Sequence, residues 1–91
     1  MKNLIIKLIK KDLSVYHIEI KDLTQKHIHH VGYDNGGHYK VLIVSDDFKQ
    51  LVLLKRHQKI YTILEKMIKK EIHALSLQTL TINEYKTKEA R

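Results

Sequence analysis

Leu4, Ile5, Leu8 and Ile9 recur at helical spacing while Lys2, Lys7, Lys10 and Lys11 take the other face, which predicts an opening amphipathic helix ending near residues 12–14. The period then changes. Tyr16, Ile18 and Ile20 alternate with His17, Glu19 and Lys21, the pattern of a half-buried strand over 15–21. Residues 22–37 hold all three glycines, Gly32, Gly36 and Gly37, beside Asp34 and Asn35, and read as one long loop. Residues 39–45 are rich in Val and Ile and apolar at 39, 41, 42, 43 and 44, as in a central strand covered at least partly on both faces.

Ser45, Asp46 and Asp47 offer caps for a helical turn around 48–51. Leu53, His57, Ile60, Leu64 and Met67 fall at spacings of four, three, four and three, predicting a helix over 54–70 with His57 on its apolar stripe. Residues 72–80 alternate again, with His73, Leu75, Leu77 and Thr79 on one face and Ala74, Ser76, Gln78 and Leu80 on the other. Thr81 and Glu84 form a capping box for a final helix over 82–88, fraying into a tail from 86. The order helix, strand, strand, helix, helix, strand, helix predicts a single α+β domain over 1–91, a sandwich whose three-stranded sheet is covered mainly on one side.

At 91 residues and 43% hydrophobic, the chain can build one thin core. It has no cysteine, which excludes a disulfide scaffold, thiolate-held zinc and a cysteine nucleophile, and fits a reducing compartment. Seventeen basic against 10 acidic residues give a net charge of +7, so nucleic acid, acidic proteins and anionic membranes are all electrostatically compatible partners. Only Arg56 and Arg91 supply a guanidinium fork; the other basic residues are lysines. Lys7, Lys10 and Lys11 interrupt the first apolar run, leaving it too short for a signal segment or a membrane span. The expectation is a soluble cytoplasmic protein without a membrane partner, a monomer or weak dimer.

Seven histidines are many for this length, with His27, His29 and His30 in the long loop and His38 where the chain re-enters the sheet. Imidazole is the commonest neutral metal ligand, so the cluster invites a metal site; solvated loop histidines are the alternative. His57 reads as a core residue ordered by a hydrogen bond, and His73 as a partly buried strand residue or a ligand. Ser14, Ser45 and Ser76 lack a Gly-x-Ser-x-Gly setting, and the glycines precede a strand instead of a phosphate-cradling helix. Nothing in the sequence places two carboxylates together as an acid/base pair, so general acid/base work by Asp46, Asp47 or Glu65 has no support. The element order resembles the KH class of RNA-binding domains, yet Phe48, Lys49, Gln50 and Leu51 stand where its Gly-x-x-Gly clamp would be. Lys55, Arg56 and Lys59, with Lys66, Lys69 and Lys70, form either a phosphate-binding face or a solvated one.

Several motifs in order are more specific. The run from His38 through Val44-Ser45-Asp46-Asp47-Phe48, then Arg56-His57, Ile60-Tyr61, His73-Ala74-Leu75 and Glu84-Tyr85 resembles the BolA family, whose pattern is His-Phe-x-Val-x-x-Val-Ser-x-x-Phe, Arg-His-Arg, His-Ala-Leu and a closing Glu-Trp. The likeness is firmest over 38–85. Gln50 stands for the usual glycine, Gln58 for the second Arg and Tyr85 for Trp. The resemblance implies a KH-like fold of the class II type and a non-enzymatic role with a monothiol glutaredoxin. It further implies a bridging 2Fe-2S cluster held by the glutaredoxin cysteine, a glutathione thiol, the His-Ala-Leu histidine, here His73, and often a second ligand from the first long loop. That second position falls on His27, His29 or His30. Some relatives are described as DNA-binding regulators, which would use the helical face at Lys55, Arg56 and Lys59. The mixed ligation agrees with the residue inventory, because a chain without thiols needs a partner to supply sulfur.

Overall fold

The computed structural model describes residues 2–24, 37–68 and 70–89. Helix α1, Lys2–Asp12, buries Ile5 and Ile9, one turn apart, and keeps its lysines in solvent. Strand β1, His17–Asp22, pairs antiparallel with β2, Gly37–Val44, setting Ile18 opposite Ile43 and Ile20 opposite Val41. Strand β3, Ile72–Leu80, joins the other edge of β2 in parallel, so β2 is central in the order β1-β2-β3. A parallel neighbour requires a crossover, which is made by the 3-10 turn Asp46–Phe48 and helix α2, Leu53–Ile63. Helix α3, Ile82–Glu89, follows β3.

The core joins Ile5, Ile9 and Leu13 to Tyr39, Val41 and Ile43 of β2, with Phe48, Ile60 and Leu64 from the crossover. Alternation along β2 turns Lys40 out to solvent on the opposite face and leaves Leu42 half-buried there. Among the described residues the sheet is thus covered mainly on one side, as the pattern predicts, and the architecture is α+β with three α-helices. The capping box forms as expected: Thr81 Oγ1 accepts from the Glu84 N–H at 3.2 Å, and the Glu84 carboxylate accepts from the Thr81 N–H at 2.8 Å. Ser45 is buried, accepts from the Asp47 N–H and donates to the Ser14 carbonyl.

Several boundaries differ from the sequence reading: β1 spans 17–22 instead of 15–21, the turn after β2 spans 46–48 instead of 48–51, and larger differences fall at α2, β2 and α3. The long helix over 54–70 stops at Ile63; the chain continues in turns, with Met67 N–H donating to Leu64 and Ile72 N–H to Met67. Ile60, Thr62 and Ile63 are β-branched, and Thr62 Oγ1 donates back to the Gln58 carbonyl at 2.9 Å, both of which weaken a helix. Leu64 and Met67 are nevertheless buried, because single turns keep the three-and-four spacing that a helix would give. Leu53, at the top of the stripe, is 60% exposed, outside the core. Strand β2 begins at Gly37, two residues before the apolar run, and α3 continues helically through 86–89.

Candidate functional site

The pairing of β2 with β3 shifts between its first two rungs: Gly37 faces Ile72, His38 faces Ala74, and His73 is the extra residue between them. Ile72 is buried in the core, so the bulge resets the alternation that put His73 on the face of Leu75. His73 is exposed instead, and its ring meets His38 with centroids 4.9 Å apart and planes at 46°. The expectation of a partly buried His73 is corrected by this one-residue insertion. His38, half-buried, shares strand parity with Lys40 and Leu42 on the face away from the core. Sequence alternation could not reveal the pairing of His38 with His73, because a bulge leaves no mark in hydropathy.

The backbone around the two rings is tied down. Gly37 N–H donates to the Glu71 carbonyl at 2.9 Å, and Leu23 N–H to the His38 carbonyl at 2.7 Å. His38 N–H donates to Thr24 Oγ1 at 3.1 Å, and Thr24 N–H to the Asp22 carboxylate at 2.9 Å. Hydrogen bonds from the Thr24 hydroxyl and N–H hold the Asp22 carboxyl below its ordinary value. A Cβ on Gly37 would run into the buried Tyr39 ring, so the close approach of that ring favours glycine there. Thr24 and Gly37, which flank residues 25–36, both belong to this end of the sheet. His27, His29 and His30 lie outside the described residues. Among the described residues no three His, Cys, Asp or Glu side chains come together as a metal site.

The basic residues of α2 divide. Lys55 and Lys59 are exposed, whereas the Arg56 side chain is 12% exposed and turned inward. Its Nε donates to the Leu51 carbonyl at 2.9 Å and Nη1 to the Thr79 carbonyl at 3.0 Å. Nη1 and Nη2 grip the two Glu84 oxygens at 2.7 and 3.2 Å, and the guanidinium carbon sits 6.0 Å from the Phe48 ring centre. Arg56 hydrogen bonding, joined by the Thr81 N–H, pulls the Glu84 carboxyl down to about 2. His57 Nε2 is buried without a hydrogen-bond partner among the described residues, so the expected ordering bond is not made through that atom. Gln50, where the family pattern has glycine, holds φ at 64°, the left-handed region that glycine enters most easily.

A one-sided three-stranded sheet, a βαβ crossover lacking the Gly-x-x-Gly clamp, and a histidine pair at the sheet end define a KH-like α+β domain with a histidine-bearing edge. A family model described as BolA-like protein matches residues 9–84, and the chain belongs to that family. It is 36% identical over 78 residues to the DNA-binding transcriptional regulator BolA of Haemophilus influenzae, covering 86% of this chain and 74% of that protein. The BolA domain of SufE1 from Arabidopsis thaliana superposes with a TM-score of 0.79 at 33% identity, covering 90% of this chain and 92% of that one. A bol-like protein from Babesia bovis, 21% identical with a TM-score of 0.80 over 98% of this chain and 93% of its own, shares the fold. No described helix is long and apolar enough to cross a membrane.

Proposed function

We propose that this chain is a non-catalytic partner of a monothiol glutaredoxin and that His73 contributes an imidazole to a 2Fe-2S cluster shared between them. The observation that carries the reading is the exposed His73 ring, presented by a bulge at the sheet end that flanks residues 25–36, where His27, His29 and His30 occur. The donor set fits a shared group better than a resident one. Imidazole is a competent ligand, but the chain has no thiol, so the glutaredoxin cysteine and a glutathione thiol would supply the sulfur. When bound, the cluster would supply iron with mixed nitrogen and sulfur ligation; this chain's part is to hold His73 in place and outside the core. The Gly37 N–H bond to the Glu71 carbonyl ties the start of β3 to β2, and the bonds at Leu23 and His38 hold β2 beside β1.

The test is reconstitution of the cluster on a mixture of the chain, a monothiol glutaredoxin and glutathione. A mixed complex with visible absorption and circular dichroism distinct from glutaredoxin alone is expected, and His73→Ala should change those bands. Identical bands in the variant would refute ligation by His73.

A second reading, DNA binding by the face of α2, is favoured by the name of the Haemophilus relative and by exposed Lys55 and Lys59. Arg56 adds little to it, since its guanidinium is engaged within the fold. On this reading duplex DNA is bound without glutaredoxin, affinity falls steeply with salt, and Lys55→Gln with Lys59→Gln reduces it while His73→Ala does not.

A further inference from the structure

The sheet face turned away from the core has a charge arrangement that the histidine edge does not explain. The register places Lys21 opposite Lys40 on β1 and β2, and Lys40 opposite Ser76 on β3, so two ammonium groups and a hydroxyl form one row across three strands. Adjacent strands are only about 4.8 Å apart, and like charges directly opposite on one face destabilise a sheet. Among the described residues neither lysine has an ion-pair partner. The carboxylate nearest in register, Glu19, is instead bonded to His17 Nε2 at 2.7 Å. A groove of about 370 Å³ runs over the row, lined by Glu19, Lys21, Lys40, Leu42, Ser76 and Gln78. The row lies two residues along β2 from His38, or about 7 Å at the strand rise, on the same face.

We infer that this row is a docking surface for an acidic protein segment, with Lys21, Lys40 and Ser76 taking its carboxylates beside His38 and His73. The inference rests on the reading that a protein partner approaches the His73 edge, and it names the chemistry of that partner's contact surface. Charge complementarity selects the occupant: an anionic group relieves the lysine juxtaposition that the register imposes. The groove is a shallow sheet surface instead of an enclosed cavity, which suits a protein surface better than a small ligand. Nucleic acid fits less well. The described part of the face has no arginine, and Tyr85 stacks on His17 with ring centres 5.3 Å apart and planes at 26° instead of lying open to a base.

The full chain, metal-free, is titrated with a deca-glutamate peptide while its backbone amides are followed by NMR. Saturable shifts centred on residues 21, 40 and 76 are expected, and Lys21→Gln with Lys40→Gln should weaken binding by about tenfold. Lys7→Gln with Lys10→Gln, the same charge change on α1, should alter it by less than about twofold. The sheet variant should melt at the same temperature or a few degrees higher, roughly 1–4 °C, because a like-charge contact is removed. Shifts centred on the helical lysines, equal losses in both variants, or tighter mapping of single-stranded DNA to this face would each overturn the docking surface. His73→Ala is expected to bind the peptide normally while altering the cluster bands. A silent peptide titration with intact His73-dependent bands refutes the docking surface alone; normal peptide mapping with no glutaredoxin complex refutes the functional reading alone.

Discussion

Arg56 shows how one side chain can look like a ligand-binding group in sequence and act as a clamp in the fold. Its fork ties the turn after Phe48 to the end of β3 and the start of α3 through the carbonyls of Leu51 and Thr79 and the carboxylate of Glu84. Removing it leaves those acceptors without their donor, so Arg56→Ala should destabilise the chain by about 2–4 kcal/mol in urea unfolding. Lysine cannot reproduce the fork, and Arg56→Lys should recover only part of the loss. The pair also predicts a pH dependence. Glu84 falls from 4.5 to about 2 on folding, so its stabilisation is complete above 4.5 and is lost as pH falls toward 2. Acid-unfolding curves of the wild type and Glu84→Gln should therefore differ most above 4.5 and converge near 2. Gln50 is the opposite kind of residue, one whose oddity was legible: the departure from the family's glycine coincides with a positive φ.

Elements were readable where a local rule dominates. Residues 72–80 alternate and form β3 with those bounds, and the Thr81–Glu84 box starts α3. The end of α2 was not readable, because Leu64 and Met67 satisfy helical spacing whether the turns are continuous or separate. The bulge was equally hidden, since β2 and β3 register depends on residues more than thirty apart in sequence. Gly37 links this element feature to the candidate site. Gly37→Ala forces the buried Tyr39 ring to move and should cost about 1–3 kcal/mol of stability. The same variant should shift the NMR signals of the His38 and His73 rings; unaltered ring signals would mean that the glycine does not position the edge.

At the scale of the molecule, a small apolar core is wrapped in a surface with a net charge of +7. Such a surface repels itself when folded, and salt shortens the range of that repulsion to about 8 Å at physiological strength. Raising sodium chloride from roughly 0.02 to 0.2 M should therefore raise the melting temperature, the reverse of a fold held by surface ion pairs. A fall in melting temperature would show that the surface pairs outweigh the repulsion. The division of the sheet has the same scale: among the described residues helices cover one face, while the other carries Lys21, Lys40, Ser76 and Gln78 around Leu42, with Tyr85 packed against His17 and Tyr16 at one end.

The amino-acid sequence by itself determined the order of elements, the one-sided burial of the sheet, the caps and the family, because periodicity, capping chemistry and short motifs act over a few neighbouring residues. It also determined that any thiolate at the proposed shared metal centre must come from elsewhere, since the chain has no cysteine. Tertiary structure alone decided that His73 meets His38, that Arg56 turns inward and that Lys21 faces Lys40. Each of these depends on registers and crossovers between distant segments, set by packing the whole core at once.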